Sequence, residues 1–583
     1  MNISRYISKG MLGTTGCASL LGLAVTCTAL TSCSDYLEVE PLTEIIEDKY
    51  WNEENDVNNI VMGCYSAMQE EDVVKRMMCW GEFRSDNVSG GTNIENYTDL
   101  SNIFKENINA NNSFTKWDKF YNIINRCNIV LYYAPHVQMK DPNYTESELN
   151  ATKAEVSAIR DLMYFYLIRT FRDVPYTTTA YLDDSQEMAV AATPFNAVLD
   201  SLITDLESVK DDAVKTWPST KTDYQNGRIT QNAIYAMLAD MYLWKQDYQN
   251  SVKYADLIID EYTSDYQKKL DRMAGISSTD DMINGFPLIN DKYSTGTAYG
   301  YAYYSNFGYG PSRESIFELV YSDNDNMLSN DAVVNLYGND ETFPAYVKPS
   351  DFVAGDVTNE LYNVFRNKYD ARAYEYIQSV SSSLYGINKY VSKSANVKVA
   401  SEKITADYGS NQSKSHNSSN WIIYRLPDVM LMKAEALAQM VNEGDSTTYG
   451  KQRNDSLLSA ALNIVNAINK RSCCSSYTEL SVKDYNSKTL MTNLVCDERQ
   501  RELMFEGKRW YDLVRHARRD GNTSYLLEKA SHKGSDGGSV IQSKLAKMDA
   551  MYWPYYIDEL KVNPNLVQNS AFGSGENESY KKN

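Results

Sequence analysis

Between Tyr293 and Gly310 the chain carries Tyr293, Tyr299, Tyr301, Tyr303, Tyr304 and Tyr309 interleaved with Gly296, Gly300, Gly308 and Gly310. Rings of this kind stack on flat, partly apolar faces while the phenolic hydroxyl bonds at an edge. A sugar ring offers that combination, with C–H patches on its faces and hydroxyls around its rim. Glycine lends the backbone reach, and tyrosine orders at small entropic cost because it has few rotatable bonds. The whole chain favours half-polar rings, with 46 Tyr against 15 Phe. The same spacing also fits a strand pair that buries alternate tyrosines on one face.

Other chemistries find less support. The four histidines, His136, His416, His516 and His532, are far apart in sequence, and there is no HExxH, GxSxG or GxxxxGK[ST] string. No CxxC pair occurs among the nine cysteines, and Cys473 adjoins Cys474, so neither a zinc site nor a redox motif is expected and buried free thiols are the default. We therefore expect no catalytic residues, no metal and no cofactor. A glycoside hydrolase needs only two carboxylates at a fixed separation, and 77 acidic residues leave that alternative open. The formal charge of −20 argues against nucleic acid as a partner.

Residues 1–32 read as a secretory leader, with Arg5 and Lys9 ahead of a weakly apolar run from Met11 to Leu30. Its end, Leu30-Thr31-Ser32-Cys33, resembles the bacterial lipobox, in which the cysteine takes a diacylglycerol. Cys33 would then carry a covalent lipid and begin the mature chain, followed by an acidic tether containing Asp35, Glu38 and Glu40.

The elements that must position the tyrosines are mostly helical. Apolar residues recur at helical spacing in 45–69, in stripes through Trp117, Tyr121, Ile124 and Asn128 and through Val156, Ile159, Met163, Tyr166 and Ile168, and in 457–471. Pro175 enforces an exit after Phe171, and Thr193-Pro194 is expected to cap and open a further helix. Two adjacent helices, 232–244 and 248–262, alternate small and large residues as tetratricopeptide hairpins do. Glu498–Arg518 is expected to form one amphipathic helix, with Leu503, Gly507, Trp510, Val514 and Ala517 inward. Its charges, Glu502, Glu506, Arg499, Arg509, Asp512 and Arg515, are expected to pair along a solvated face. The fold class is mainly α. One domain spans 33–583, with 33–262 and 421–572 as helical scaffold and 263–420 as a loop-rich insert carrying short strands.

Several of these stretches are similar to one family. Glu498, Arg499, Glu502, Leu503, Phe505, Glu506, Gly507, Arg509, Trp510, Asp512, Leu513 and Arg515 resemble the C-terminal helix of the SusD/RagB-like family. Arg425, Asp428, Ala434, Glu435 and Ala436, the Trp553–Glu559 stretch and Asn563–Asn569 resemble further segments of it. The chain departs from the family at Arg172, where Gly is usual, and in the 263–420 insert. The resemblance implies a SusD-like fold and a cell-surface, outer-membrane lipoprotein that captures oligosaccharides for a SusC-like TonB-dependent transporter. It also implies that Arg84, Asp86 and Asn87, an R-x-D-N segment, lie near the ligand face. Tyr299, Tyr301, Tyr303 and Tyr304 complete the expected ligand-binding set. The alternatives are a surface glycoside hydrolase and a transporter-lid scaffold that does not itself bind sugar.

Overall fold

The computed structural model describes residues 50–573, apart from 184, 222, 273–281, 295, 297, 323–327, 356–362, 366, 382–383 and 534–537. The leader, Cys33 and the acidic tether lie outside the described residues.

Helices α1 (Glu54–Met68), α2 (Glu71–Met78), α3 (Asp118–Lys140), α4 (Glu146–Phe171), α5 (Phe195–Val209), α6 (Gln231–Lys245) and α7 (Tyr248–Arg272) make the first half of the frame. Helices α8 (Leu426–Gln439), α9 (Thr448–Ser472), α10 (Lys488–Leu503) and α11 (Arg509–Asp520) make the second. Neighbours pack pairwise: α1 on α3, α3 on α4, α4 on α5, α6 on α7, α7 on α8, and α8 on both α9 and α10. This is the expected mainly α architecture of helical hairpins. α4 and α8 are buried on nearly every face, so helices cover them all round.

Local chemistry sets the helix ends. Thr145 and Glu148 form a reciprocal capping box at the start of α4. Arg172, just past its end, sits at φ 72°, a left-handed conformation that glycine adopts most readily. Its side chain is held there by Asp173 and Asp549. Thr193 does not cap α5 as expected. It pairs with Val174 in a two-residue ladder, and the Phe195 N–H is taken by Asp173 Oδ1 at 3.1 Å.

The expected single helix over 498–518 is broken. Between α10 and α11 the chain reverses at Phe505 (φ 68°) and Gly507 (φ 71°). A Cβ on Gly81 would lie 1.8 Å from the Gly507 carbonyl oxygen, so the turn is pressed against the end of α2 and leaves no room for a continuous helix.

Short antiparallel ladders tie the loops to this frame. Among these strands are β1 (Val88–Gly90), β2 (Ser315–Leu319), β3 (Val347–Pro349), β4 (Ala395–Ala400), β5 (Lys403–Tyr408) and β6 (Trp421–Arg425). β1 pairs with β3 and β4 with β5. β2 pairs with β6, with Trp421 opposite Leu319, and both strands are wholly buried.

Candidate functional site

The tyrosine segment folds back on β4. Tyr299 and Val397 exchange both backbone hydrogen bonds at 2.9 Å. Gly300 (φ 114°) and Gly308 then bring the main chain close, since a Cβ there would lie 1.7 Å from the Ala395 carbonyl oxygen and 1.9 Å from that of Lys393. Asp291 closes the turn from the other side. Its carbonyl accepts from the Gly300 and Tyr301 N–H groups at 3.0 and 2.9 Å, and its Oδ1 from the Ala302 N–H at 3.0 Å.

Neither an open loop nor a strand pair results. Tyr301–Tyr303 is a helical turn that widens over Tyr304–Tyr309. The turn sorts its rings into two sets. Tyr303 and Phe307, four apart, point inward. Tyr303 is buried, its hydroxyl 2.7 Å from the Asn388 carbonyl and 2.8 Å from that of Ser392. Phe307 packs against Tyr376, Tyr390 and the Lys389 ammonium, 4.5 Å from its ring centre. Tyr301, Tyr304 and Tyr309 point outward, 42%, 36% and 76% exposed. The Tyr304 and Tyr309 rings lie nearly parallel, 23° apart with centres separated by 6.0 Å, and Tyr293 meets Tyr301 edge-on at 5.6 Å. Tyr299, half-buried, packs on the Ala371, Val397 and Cys474 cluster. The exposed result is an aromatic ledge of Tyr293, Tyr301, Tyr304 and Tyr309. Tyr309 is the outermost of these, and its position after Gly308 in the same run was the sequence signal for it.

Arg84, Asp86 and Asn87 are not part of this ledge. All three are buried and spent on protein partners. Arg84 donates to Glu106 and to the carbonyls of Ala550 and Met551, at 3.0, 2.7 and 3.0 Å, with its guanidinium stacked 4.5 Å from the Trp510 ring centre. Asp86 accepts from Arg509 at 2.8 and 3.0 Å and from Gln500 at 2.9 Å. Burial alone would push its carboxyl up, but the Arg509 guanidinium holds it below the usual range. Asn87 donates to Glu82 at 2.7 Å and accepts from Gln500 at 2.8 Å. The expectation that these three face a ligand is corrected: they lock the end of α2 to α10 and α11.

The charges expected on a solvated face of 498–518 are likewise inside. Glu502 accepts from Arg425 at 2.6 Å, from Arg372 at 3.0 Å and from Arg471. Glu506 accepts from Arg425 at 3.0 and 2.7 Å and from Lys389 at 2.7 Å. Burial drives Lys389 down to about 8 against the opposing pull of Glu506. This buried ionic spine reaches the ledge through Lys389, which bonds Glu506 on one side and carries Phe307 and Tyr376 on the other.

A cleft of about 360 Å³ opens beside Tyr262 and Tyr266 of α7, near Asn226 and Arg313. Those tyrosines sit four apart on α7, a spacing that reads as ordinary core. Among the described residues no cluster of His, Cys, Asp and Glu is arranged to hold a metal, and no helix is long and apolar enough to cross a membrane.

Helical hairpins that carry a strand-stapled, loop-rich insert define a recognisable class. Residues 219–572 match the SusD family, and residues 35–243 match a family described as starch-binding, associating with outer membrane. The chain belongs to the SusD family. It is 25% identical to SusD-like protein P38 of Formosa agariphila over 559 residues, covering 93% of this chain and 96% of the relative. Among solved structures, a laminarin-binding SusD-like protein matches with a TM-score of 0.57 at 21% identity, over 89% of this chain and 100% of the other. Surface glycan-binding protein A of Bacteroides thetaiotaomicron, in complex with laminarihexaose, matches with a TM-score of 0.57 at 17% identity, over 89% and 100%.

Proposed function

We propose that this protein is a cell-surface lipoprotein that binds oligosaccharides on the Tyr293, Tyr301, Tyr304 and Tyr309 ledge and hands them to a SusC-like TonB-dependent transporter. The observation that carries the reading is the parallel, exposed pair Tyr304 and Tyr309 beside Tyr301, held rigid from beneath. Stacking on such rings suits an uncharged ligand that is apolar on its faces and polar at its rim. Family membership supports glycan binding and outer-membrane association. Acylation of Cys33 would supply the anchor, and two or more chains would be needed for stable attachment.

The test uses the soluble chain from residue 34 in native gels cast with a panel of glycans. Retarded migration without new reducing ends supports binding, and turnover of any glycan refutes it. A variant with Tyr301, Tyr304 and Tyr309 all changed to Ala should migrate freely. Intact mass of the membrane-extracted protein should show acyl groups on Cys33, and Cys33→Ala should release it to the soluble fraction.

A further inference from the structure

Cys64 on α1 and Cys127 on α3 meet in the seam between those helices, their sulfurs 3.8 Å apart and both side chains buried. The same seam is tied one residue away, where Arg126 Nη1 donates to the Gly63 carbonyl at 3.1 Å, so the backbones on either side of the two thiols are already held together. Three of the other described cysteines are differently engaged, and Cys79 is buried on its own. Cys473 and Cys474 direct their sulfurs at the carbonyls of Ser475 and Tyr369, and Cys496 lies against Arg509. A disulfide needs its sulfurs about 2 Å apart, a gap that small side-chain rotations and a slight helix adjustment can close.

We propose that Cys64 and Cys127 are joined as a disulfide in the exported chain, an assignment that rests on the envelope location above only for its supply of oxidant. Two S–H bonds break and one S–S bond forms. Two electrons and two protons pass to the disulfide of a thiol-exchange partner, which leaves as the dithiol. Exchange proceeds through a thiolate, and burial holds the Cys127 thiol well above its ordinary range, so the closed seam shields the pair from casual exchange. Cys64 and Cys127 are 63 positions apart. The loop they close contains the Arg84–Asn87 segment that locks α2 to α11, and constraining it in the unfolded chain favours the folded one.

Two arms test this on the full mature chain. In the first, reduced and unfolded protein is refolded with oxidised and reduced glutathione, quenched with N-ethylmaleimide and mapped without reduction. The expected result is a linked Cys64–Cys127 peptide pair, with the other four thiols of the described chain alkylated. Both peptides alkylated, or a different pair linked, overturns the pairing itself. In the second, the protein is quenched with N-ethylmaleimide in intact cells, extracted and mapped in the same way. Linkage supports the assignment, while free thiols here despite linkage in the first arm overturn it for the exported chain and count against the oxidising location. Reductant should lower the melting temperature of the linked protein by a few degrees and leave a Cys64→Ala, Cys127→Ala variant unchanged. Native gels on that variant report glycan binding separately, so failure of the disulfide and failure of the ledge remain distinguishable.

Discussion

Asp86 and Arg509 lie more than four hundred residues apart in sequence and form a two-bond ion pair, Nε to Oδ1 at 2.8 Å and Nη2 to Oδ2 at 3.0 Å, with neither side chain exposed. Removing one partner would strand the other charge in the core, which costs on the order of 3–5 kcal/mol. Asp86→Ala is therefore expected to lower the unfolding midpoint in urea by that equivalent while the folded fraction still binds glycan. A variant as stable as the wild type that has lost glycan affinity would return Asp86 to the ligand face.

The two ring sets should respond oppositely. Tyr304→Ala and Tyr309→Ala remove exposed rings, so each should weaken glycan binding about five-fold, equivalent to about 1 kcal/mol, with little change in melting temperature. Tyr303→Phe removes a buried hydroxyl from the Asn388 and Ser392 carbonyls, so it should cost about 1–2 kcal/mol of stability and leave affinity alone. Calorimetry of binding and of unfolding on the three variants separates the cases.

Glycine at 300 is required by contact as well as by conformation. Gly300→Ala would drive a methyl group into the Ala395 carbonyl and should abolish glycan retention by displacing the ledge from β4. Gly296→Ala, at φ 79° with open space around its Cβ position, should cost about 1 kcal/mol and keep binding. Equal loss in both would mean that the contact with β4 does not hold the ledge.

Stability should fall on both sides of mildly acidic pH, for opposite reasons. Burial raises Glu82 and Glu318 from 4.5 to about 7, against the hydrogen bonds that favour their charged forms. Each therefore contributes stability that is complete below about pH 4.5 and is lost as pH rises through 7, up to roughly 3 kcal/mol per group. Glu435 is the reverse case. Burial would raise it, but Arg515 outweighs that and lowers it from 4.5 to about 2, so its contribution is present above about pH 4.5 and disappears as pH falls to 2. Melting temperatures across this range should show both limbs, and Glu318→Gln should make the neutral one shallower, leaving the Glu82 share of it and the acid limb in place. An unchanged neutral limb in that variant would refute the assignment.

The sequence made helix periodicity legible because apolar stripes and caps are local properties, and the pairing of α6 with α7 followed from them. Arg172 was legible as an anomaly, since the resemblance set it where glycine is expected, and it does take the positive φ of the exit from α4. The break between α10 and α11 was not, because Phe505 has no local reason to adopt positive φ. The turn is instead fitted against Gly81, whose lack of a side chain admits the Gly507 carbonyl, an event of tertiary packing. The same limit explains Arg84, Asp86 and Asn87. A polar run after α2 reads as surface until Arg509, Gln500 and Glu106 arrive to satisfy it. The division of the tyrosines between outward and inward was likewise hidden, because the wide turn over Tyr304–Tyr309 follows neither strand nor regular helical spacing.

The pairing of β2 with β6 places Leu319 opposite Trp421, so the hundred or so residues between them leave and return at one stem. Closing a long excursion costs only slightly more than closing a short one. The stretch between those two positions is nevertheless fastened to the frame at further points, because its Arg372 and Lys389 bond Glu502 and Glu506 and its β3 pairs with β1. Grafting the corresponding stretch of another member of the family at this stem would therefore leave the tyrosine ledge with the recipient and keep the body intact only where equivalents of Arg372 and Lys389 come with it.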